Sequence, residues 1–396
     1  MASLELKNGI YWVGAVDYDV RDFHGYATPQ GTTYNAYLIM DEKIVLVDTV
    51  KKGFGPDLLS HIAERTDPAR IDYIIVNHVE PDHSGALLEV LDIAKNATLV
   101  TSQKGREGLM KHYPIPDRAW KVVATGDVIN IGRRNLKFVT APMVHWPDSM
   151  FTYVVEDKVL LPNDAFGQHW AHPLRFADQV GEEFCMEEAA KYYANILMPL
   201  GPVIAKKIEE LCRMGIAVDM IAPSHGAIWR TNTSRIIAAY TDWTAFKAKP
   251  KIVIVYDTMW HSTEKLARRL VELLAGQDIE VKIYSIRKSD MSQVMRDILD
   301  AKVLLIGSPT LNADMFWTLG GFLTYLRGLK PQKKRVGIFG SYGWAGGGSR
   351  AIRREVEAMG LEVIEPAFEV QYVPQEEELR KLEEYAKVVV RAAQQN

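Results

Sequence analysis

The stretch "YIIVNHVEPDHSG", residues 73–85, carries His78, Glu80, Asp82 and His83 directly after an apolar run. Imidazole nitrogen and carboxylate oxygen are both donors to divalent first-row cations. In an extended segment residues i, i+2 and i+4 face the same side. The spacing therefore predicts that His78, Glu80 and Asp82 converge, with His83 following where "SGALLEVL" begins a helix. The same grammar returns three times: "LKFVTAPMVHW" leads to His145, "KVLLPNDAFG" to Asp164 and "VDMIAPSHG" to His225. Each alone reads as a hydrogen-bonded structural histidine or an N-capping aspartate. Four apolar runs that all deliver His or carboxylate make a shared metal centre the stronger reading.

Strands must hold these donors, and the chain has two halves of different pattern. "KIVIVY" (251–256) is the unbroken apolar run of a parallel strand buried on both faces. After it, "STEKLARRLVELLAG" places Leu266, Leu270 and Leu274 one helical turn apart and stops at Gly276. Further strands are predicted at 281–286, 303–309, 335–340 and 362–370, separated by helical stretches. Alternating β-α units of this kind predict a doubly wound parallel sheet. In the first half, "IYWVGAV", "AYLIM" and "IVLVDTV" come as hairpin-like neighbours, and helices such as "MEEAAKYYANIL" and "SRIIAAYTDWTAFKA" follow later. That order predicts a layered αββα domain. The proline in "KAKPK" (247–251) marks the boundary, giving domains 1–249 and 250–396.

Bulk composition narrows the field. A chain of 396 residues, 47% hydrophobic and 24% charged, fits a soluble two-domain globular protein. A formal net charge of −3 offers no polyanion-binding surface, so no nucleic-acid partner is expected. No basic n-region precedes an apolar core, and no apolar run approaches the ~18 residues of a membrane helix. Two cysteines, Cys185 and Cys212, exclude a disulfide framework, paired CxxC zinc motifs and an iron–sulfur cluster. A cytoplasmic location is expected.

HxExDH with a later His, Asp and His resembles the metallo-β-lactamase fold, whose hydrolases usually carry HxHxDH and bind zinc. Glu80 stands where those hydrolases have a second His. A carboxylate there makes the donor set harder and more anionic, which suits iron better than zinc. Together with the second half and with "GTTYNAYLI", "HWPDSMFTY", "NDAFGQH", "KYYANILMP", "DTMWHSTEK" and "SYGW", the chain resembles the flavodiiron (A-type flavoprotein) family over nearly its whole length. The resemblance implies a metallo-β-lactamase-like αββα sandwich followed by a flavodoxin-like doubly wound parallel sheet. It implies two irons, with His78, Glu80 and His145 on one, Asp82, His83 and His225 on the other, and Asp164 bridging. It also brings in His24 of "RDFHGY" and Tyr192 (or Tyr193) of "KYYANIL" as proton or hydrogen-bond donors to a bound gas. His112, His169 and His172 are left as surrounding or surface residues.

In a flavodoxin-like sheet the ligand lies outside the carboxyl ends of the strands. Thr258, Met259, Trp260, His261, Ser262 and Thr263 form the first loop there, hydroxyl-rich and opening a helix whose dipole favours an anion. Without GxxxxGK[ST] a nucleoside triphosphate is disfavoured, and the single phosphate of FMN fits. Pro309, Thr310 and Asn312 supply a second loop, and Ser341, Tyr342, Gly343, Trp344 and Gly346 a third. Small residues beside an aromatic suit close approach to a flavin ring, with Tyr342 and Trp344 as its contacts.

The expected activity is reduction of dioxygen to water, of nitric oxide to nitrous oxide, or of both, with electrons entering through FMN. The expected donor is a separate protein, rubredoxin by resemblance, with a reduced deazaflavin as the weaker candidate. The rival is a dinuclear zinc hydrolase with an accessory flavodoxin-like domain, which Glu80 argues against. Domains with radii of gyration of roughly 18 and 15 Å would leave sites on far edges of one chain tens of ångströms apart. A head-to-tail homodimer, or a dimer of dimers, is expected to bring the cofactors together.

Overall fold

Strands Tyr37–Met40 and Ile44–Val47 show how the first half is assembled. They pair antiparallel, Tyr37 opposite Val47 and Ile39 opposite Val45. Tyr37, Ile39, Val45 and Val47 enter one core, while Leu38, Ile44 and Leu46 enter another. Period-two alternation thus buries both faces of the sheet. Its strands run in the order Leu4–Lys7, Ile10–Trp12, Tyr37–Met40, Ile44–Val47, Tyr73–Ile75, Thr98–Thr101 and Trp120–Val122. A second sheet runs Val128–Asn130, Asn135–Thr140, Met150–Val154, Val159–Leu161 and Met220–Ile221.

The two sheets share one core, where Trp12, Tyr37 and Ile75 meet Leu136, Phe138 and Leu161. On the other face of the first sheet, Leu46, Ile74 and Leu99 pack with Leu58 and Ile62 of helix Gly55–Ala63 and with Leu87 and Leu91 of helix Leu87–Ile93. Helix Gly201–Arg213 serves the second sheet, with Lys207 donating to the Thr140 carbonyl at 2.7 Å. This is the expected αββα sandwich.

The second half is a parallel sheet in the spatial order Glu280–Ser285, Lys249–Tyr256, Ala301–Leu311, Arg335–Tyr342, Glu362–Gln371. In chain order this is 2-1-3-4-5, the flavodoxin-like winding, with its switch point between the first and third strands. Leu266, Leu270 and Leu274 of helix Ser262–Leu274 are buried with Ile252 and Ile254, as their spacing predicts.

The computed structural model describes residues 2–395. Packing divides the chain into a unit of Met1–Tyr192 with Leu200–Thr241 and a unit of Tyr193–Pro199 with Asp242–Asn396. Among the described residues no helix is long and apolar enough to cross a membrane.

One local expectation is corrected. The extended alternation does not run through Asp82, because a short helix, Pro81–Ser84, begins after Glu80. Proline at the first helical position has its φ preset and lacks only an N–H that would be unpaired there anyway. Asp82 and His83 therefore leave a helical turn, while His78 and Glu80 leave the segment before it.

Candidate metal centre and flavin loops

Every predicted metal donor lies beyond the end of a strand in the sandwich. His78 and Glu80 follow Tyr73–Ile75, His145 follows Asn135–Thr140, Asp164 follows Val159–Leu161, and His225 follows Met220–Ile221. Beneath them the buried Asp48 carboxylate accepts from the Asn77 N–H at 2.7 Å, and Asn77 Oδ1 accepts from Thr152 at 2.8 Å. This polar floor holds the turn that carries His78.

The donors fall into two groups. In one, Glu80 Oε2 lies 3.2 Å from both His78 Nε2 and His145 Nε2, and Asp164 Oδ2 lies 3.8 and 3.4 Å from the same two nitrogens. In the other, Asp82 Oδ2 lies 3.3 Å from His83 Nε2 and 3.0 Å from His225 Nε2, and Asp164 Oδ1 lies 3.1 and 3.3 Å from them. Asp164 thus turns one oxygen to each group. All seven residues meet, and His83 is as close as the others.

The chemistry of these atoms fits two cations. Both oxygens of Asp82 and of Asp164, both nitrogens of His83, and Nε2 of His145 and of His225 are buried without a hydrogen-bond partner among the described residues. They touch without aiming at one another. Donors about 3.0–3.4 Å apart are spaced as neighbours around a cation with bonds of about 2.1 Å. Unpaired buried polar atoms in such number are costly unless something binds them.

Two orienting contacts were not predicted. Asp148 Oδ2 accepts from His78 Nδ1 at 2.8 Å and from the Val79 N–H at 2.8 Å. The Thr33 carbonyl accepts from His225 Nδ1 at 2.6 Å. Each bond turns Nε2 toward the other donors, the arrangement that orients metal-bound histidines. Asp148 stands in "HWPDSMFTY", three residues after His145, but nothing in the spacing names its partner.

Electrostatics hold the set together. Burial opposes charge on His145 and His225. The carboxylates outweigh it, Asp164 and Glu80 for His145 and Asp164 and Asp82 for His225, raising their pKa to about 9 and about 10. Burial likewise opposes the Asp164 carboxylate, yet His83, His145 and His225 hold it well below the usual range. A cation bound there would compete with protons for these nitrogens.

Of the flanking residues, His24 places Nε2 3.1 Å from Glu80 Oε1. Tyr192 lies beside the cluster, its ring 5.0 Å from His169 and 6.2 Å from His225, whereas Tyr193 packs on Trp243. His169 is buried against His225 at 4.9 Å, a surrounding residue rather than a surface one. His112 is exposed, and His172 accepts from the Leu174 N–H.

In the second unit the three predicted loops follow strands Lys249–Tyr256, Ala301–Leu311 and Arg335–Tyr342, at the carboxyl edge of the sheet. The first enters helix Ser262–Leu274 through His261, whose φ is 68°. Thr258 Oγ1 is buried without a hydrogen-bond partner among the described residues, and Ser262 is half-buried. Thr263 Oγ1 lies 2.8 Å from Ser341 Oγ, tying the first loop to the third. Thr310 Oγ1 accepts from the Gly348 N–H at 3.0 Å, tying the second loop to the third. Asn312 has φ 51° beside it, and a Cβ on Gly347, at φ +155°, would meet the Ala313 carbonyl oxygen at 2.2 Å, so only glycine lets these loops approach. Pro309 is buried, Tyr342, Gly343 and Gly346 are half-buried, and Met259 is exposed. Trp260 and Trp344 stand 80% and 91% exposed on the same edge.

A metallo-β-lactamase-like sandwich with a carboxylate-rich dinuclear donor set, joined to a flavodoxin-like sheet, defines a class of flavin- and metal-dependent oxidoreductases. Residues 32–226 match the ODP family beta lactamase, and residues 254–385 match the flavodoxin family. The chain is 47% identical to the nitric oxide reductase of Moorella thermoacetica, over 97% of both chains. Among solved structures it is similar to rubredoxin oxygen:oxidoreductase from Desulfovibrio gigas, with TM-score 0.95 and 38% identity over 99% of this chain and 98% of that one. It is similar also to the flavodiiron protein from Giardia intestinalis, with TM-score 0.95 and 32% identity over 99% and 97%. The chain belongs to the flavodiiron protein family.

Proposed function

We propose that this protein reduces dioxygen to water and/or nitric oxide to nitrous oxide at a non-haem diiron site, with electrons entering through FMN. The observation that carries this reading is Asp164, which turns one oxygen to each of two donor groups. His78, Glu80 and His145 would hold one iron, and Asp82, His83 and His225 the other. Glu80 replaces an imidazole with a hard anionic donor, which favours iron and disfavours the dinuclear zinc hydrolase. Iron held by these residues would supply the binding and reduction of the gas.

The chain's own residues do the rest. Asp148 and the Thr33 carbonyl keep His78 and His225 presenting Nε2. His24, against Glu80, and the buried Tyr192 hydroxyl stand where protons are consumed: reduction of one dioxygen takes four protons and four electrons, and reductive coupling of two nitric oxides takes two of each. The loops at 258–263, 309–312 and 341–346 would cradle FMN, with the helix that opens at Ser262 facing its phosphate.

We take residues 1–249 as the diiron domain and 250–396 as the FMN domain of a cytoplasmic enzyme. It works as a head-to-tail homodimer, or a dimer of dimers, in which the FMN of one chain serves the irons of its partner. Its electron donor is rubredoxin. Iron-replete, FMN-loaded protein, reduced by rubredoxin or by a reduced deazaflavin, should consume at least one of the two gases under anaerobic handling. Elemental and flavin analysis should return two irons per chain and FMN rather than FAD. Two zincs with no gas consumption would refute the reading.

A further inference from the structure

His169 lies just outside the donor set, is 4% exposed, and is enclosed by Phe23, Tyr26, Tyr192 and His225 at ring distances of 4.7, 5.5, 5.0 and 4.9 Å. Its Nδ1 sits 2.8 Å from Thr32 Oγ1, while its Nε2 is buried with no hydrogen-bond partner among the described residues. The Thr32 hydroxyl has one hydrogen to give. Its other acceptor, the Thr33 carbonyl, is 3.4 Å away and already receives His225 Nδ1 at 2.6 Å. On the shorter of these two contacts the hydroxyl is assigned as donor to Nδ1, which places the ring proton on Nε2.

A buried N–H without an acceptor carries a desolvation cost of the kind that folded proteins avoid unless a ligand or water takes it. Two other buried polar atoms beside it share that condition: His24 Nδ1, whose ring is 5.7 Å from that of His169, and the Tyr192 hydroxyl. His24 and Tyr192 both contact the His169 ring, and His169 contacts His225, so three such groups gather beside one residue of the donor set. His225 and His169 are moreover set by one dipeptide, Thr32–Thr33, so donor and ligand keep a fixed relation.

We propose that His169 contacts the substrate: its Nε2–H donates a hydrogen bond to the diatomic gas, or to an anion standing in for it, seated at the iron of Asp82, His83 and His225. Thr32 is the positioning residue that fixes the tautomer. This rests on the diiron reading, so the test separates the two.

Azide serves as the probe, titrated into the iron-loaded diferric enzyme and followed by its absorption band, with iron content measured alongside. His169→Phe keeps an aromatic ring and loses the donor. It should keep two irons and bind azide about ten- to a hundredfold more weakly, the worth of a hydrogen bond to a charged group. His169→Gln restores an N–H near the position of Nε2 and should recover most of that affinity. Thr32→Val, away from the iron, should weaken azide in the same direction by less. Unchanged affinity in His169→Phe and Thr32→Val, or equal weakening in His169→Phe and His169→Gln, overturns the proposal. Should His169→Phe not fold, His169→Gln at wild-type affinity with a weakened Thr32→Val supports it, and an unweakened Thr32→Val overturns it. Wild-type protein that holds no iron overturns the diiron reading instead, and this inference falls with it.

Discussion

Each unit carries a cluster of buried charge, and the two clusters are built on opposite rules. In the flavodoxin-like unit Lys251, 1% exposed, bonds to Asp297 and, at 3.0 Å, to Asp300. Tyr284 caps the second oxygen of Asp297, and Lys249 approaches the second oxygen of Asp300 at 2.7 Å. Every carboxylate oxygen there has a partner. At the metal centre both oxygens of Asp82 and of Asp164 lack a hydrogen-bond partner among the described residues. Buried ions that satisfy one another tie strands together, whereas buried ions that face a common point are arranged for something the chain does not itself supply. The difference separates a structural cluster from a functional one without appeal to residue type, since both contain Asp.

The strongest way to break that comparison is Asp164→Ala. A carboxylate shared by two cations should cost both irons, and elemental analysis should fall from two per chain to none. His83→Ala removes one donor of one group and should be milder, with the iron of His78, Glu80 and His145 retained. If Asp164→Ala kept one iron, the carboxylate would not be shared.

Lys251→Ala tests the opposite cluster. It strands two buried carboxylates and should destabilise the chain by about 3–5 kcal/mol, read from the denaturant midpoint. Iron per folded chain should stay at two. Iron loss in step with stability would show that the clusters are not independent.

Asp148→Ala sharpens the picture within the metal centre, because it frees His78 Nδ1 without touching a donor atom. A chelator competition should find iron affinity about ten- to a hundredfold lower. Unchanged affinity would mean that packing alone orients His78.

The smallest expected effect is a pH dependence. Burial raises the pKa of Asp300, but Arg296, Lys249 and Lys251 outweigh it and bring it to about 2, below the ordinary 3.8. Between these values the unfolded chain binds more protons, so stability rises with pH. The contribution, about 2 kcal/mol at most, is whole above pH 3.8 and is lost as pH falls through about 2. Wild type should therefore exceed Asp300→Asn by a constant margin above pH 4, shrinking toward pH 2 in urea titrations. A constant margin throughout would show that Asp300 carries no lowered pKa.

Much of this was legible beforehand, for reasons of locality. Four donors within six residues, 78–83, need only the chain itself to stand together, so their types announce a metal centre. Continuous apolar runs such as "KIVIVY" announce strands buried on both faces because a parallel sheet leaves them no polar side. The helix of Leu266, Leu270 and Leu274 is legible because its contacts repeat every turn. Glu80 in place of a histidine bears on iron through donor hardness alone, which needs no coordinates.

Tertiary structure decided what depends on distance between remote residues. Spacing suggested that Asp82 sides with His78 and Glu80, yet the helical turn begun at Pro81 moves it to the other group. Asp164 serves both groups only because the strand Val159–Leu161 lies between Met150–Val154 and Met220–Ile221, an order that sequence does not print. Asp148, Thr33 and Thr32 act through hydrogen bonds spanning 70, 192 and 137 positions, and no periodicity encodes a contact at such separation. Nothing in the residue types around His169 distinguishes it from a surface histidine. Its role follows from which atoms the fold leaves buried and unpaired, a property of the packed chain alone.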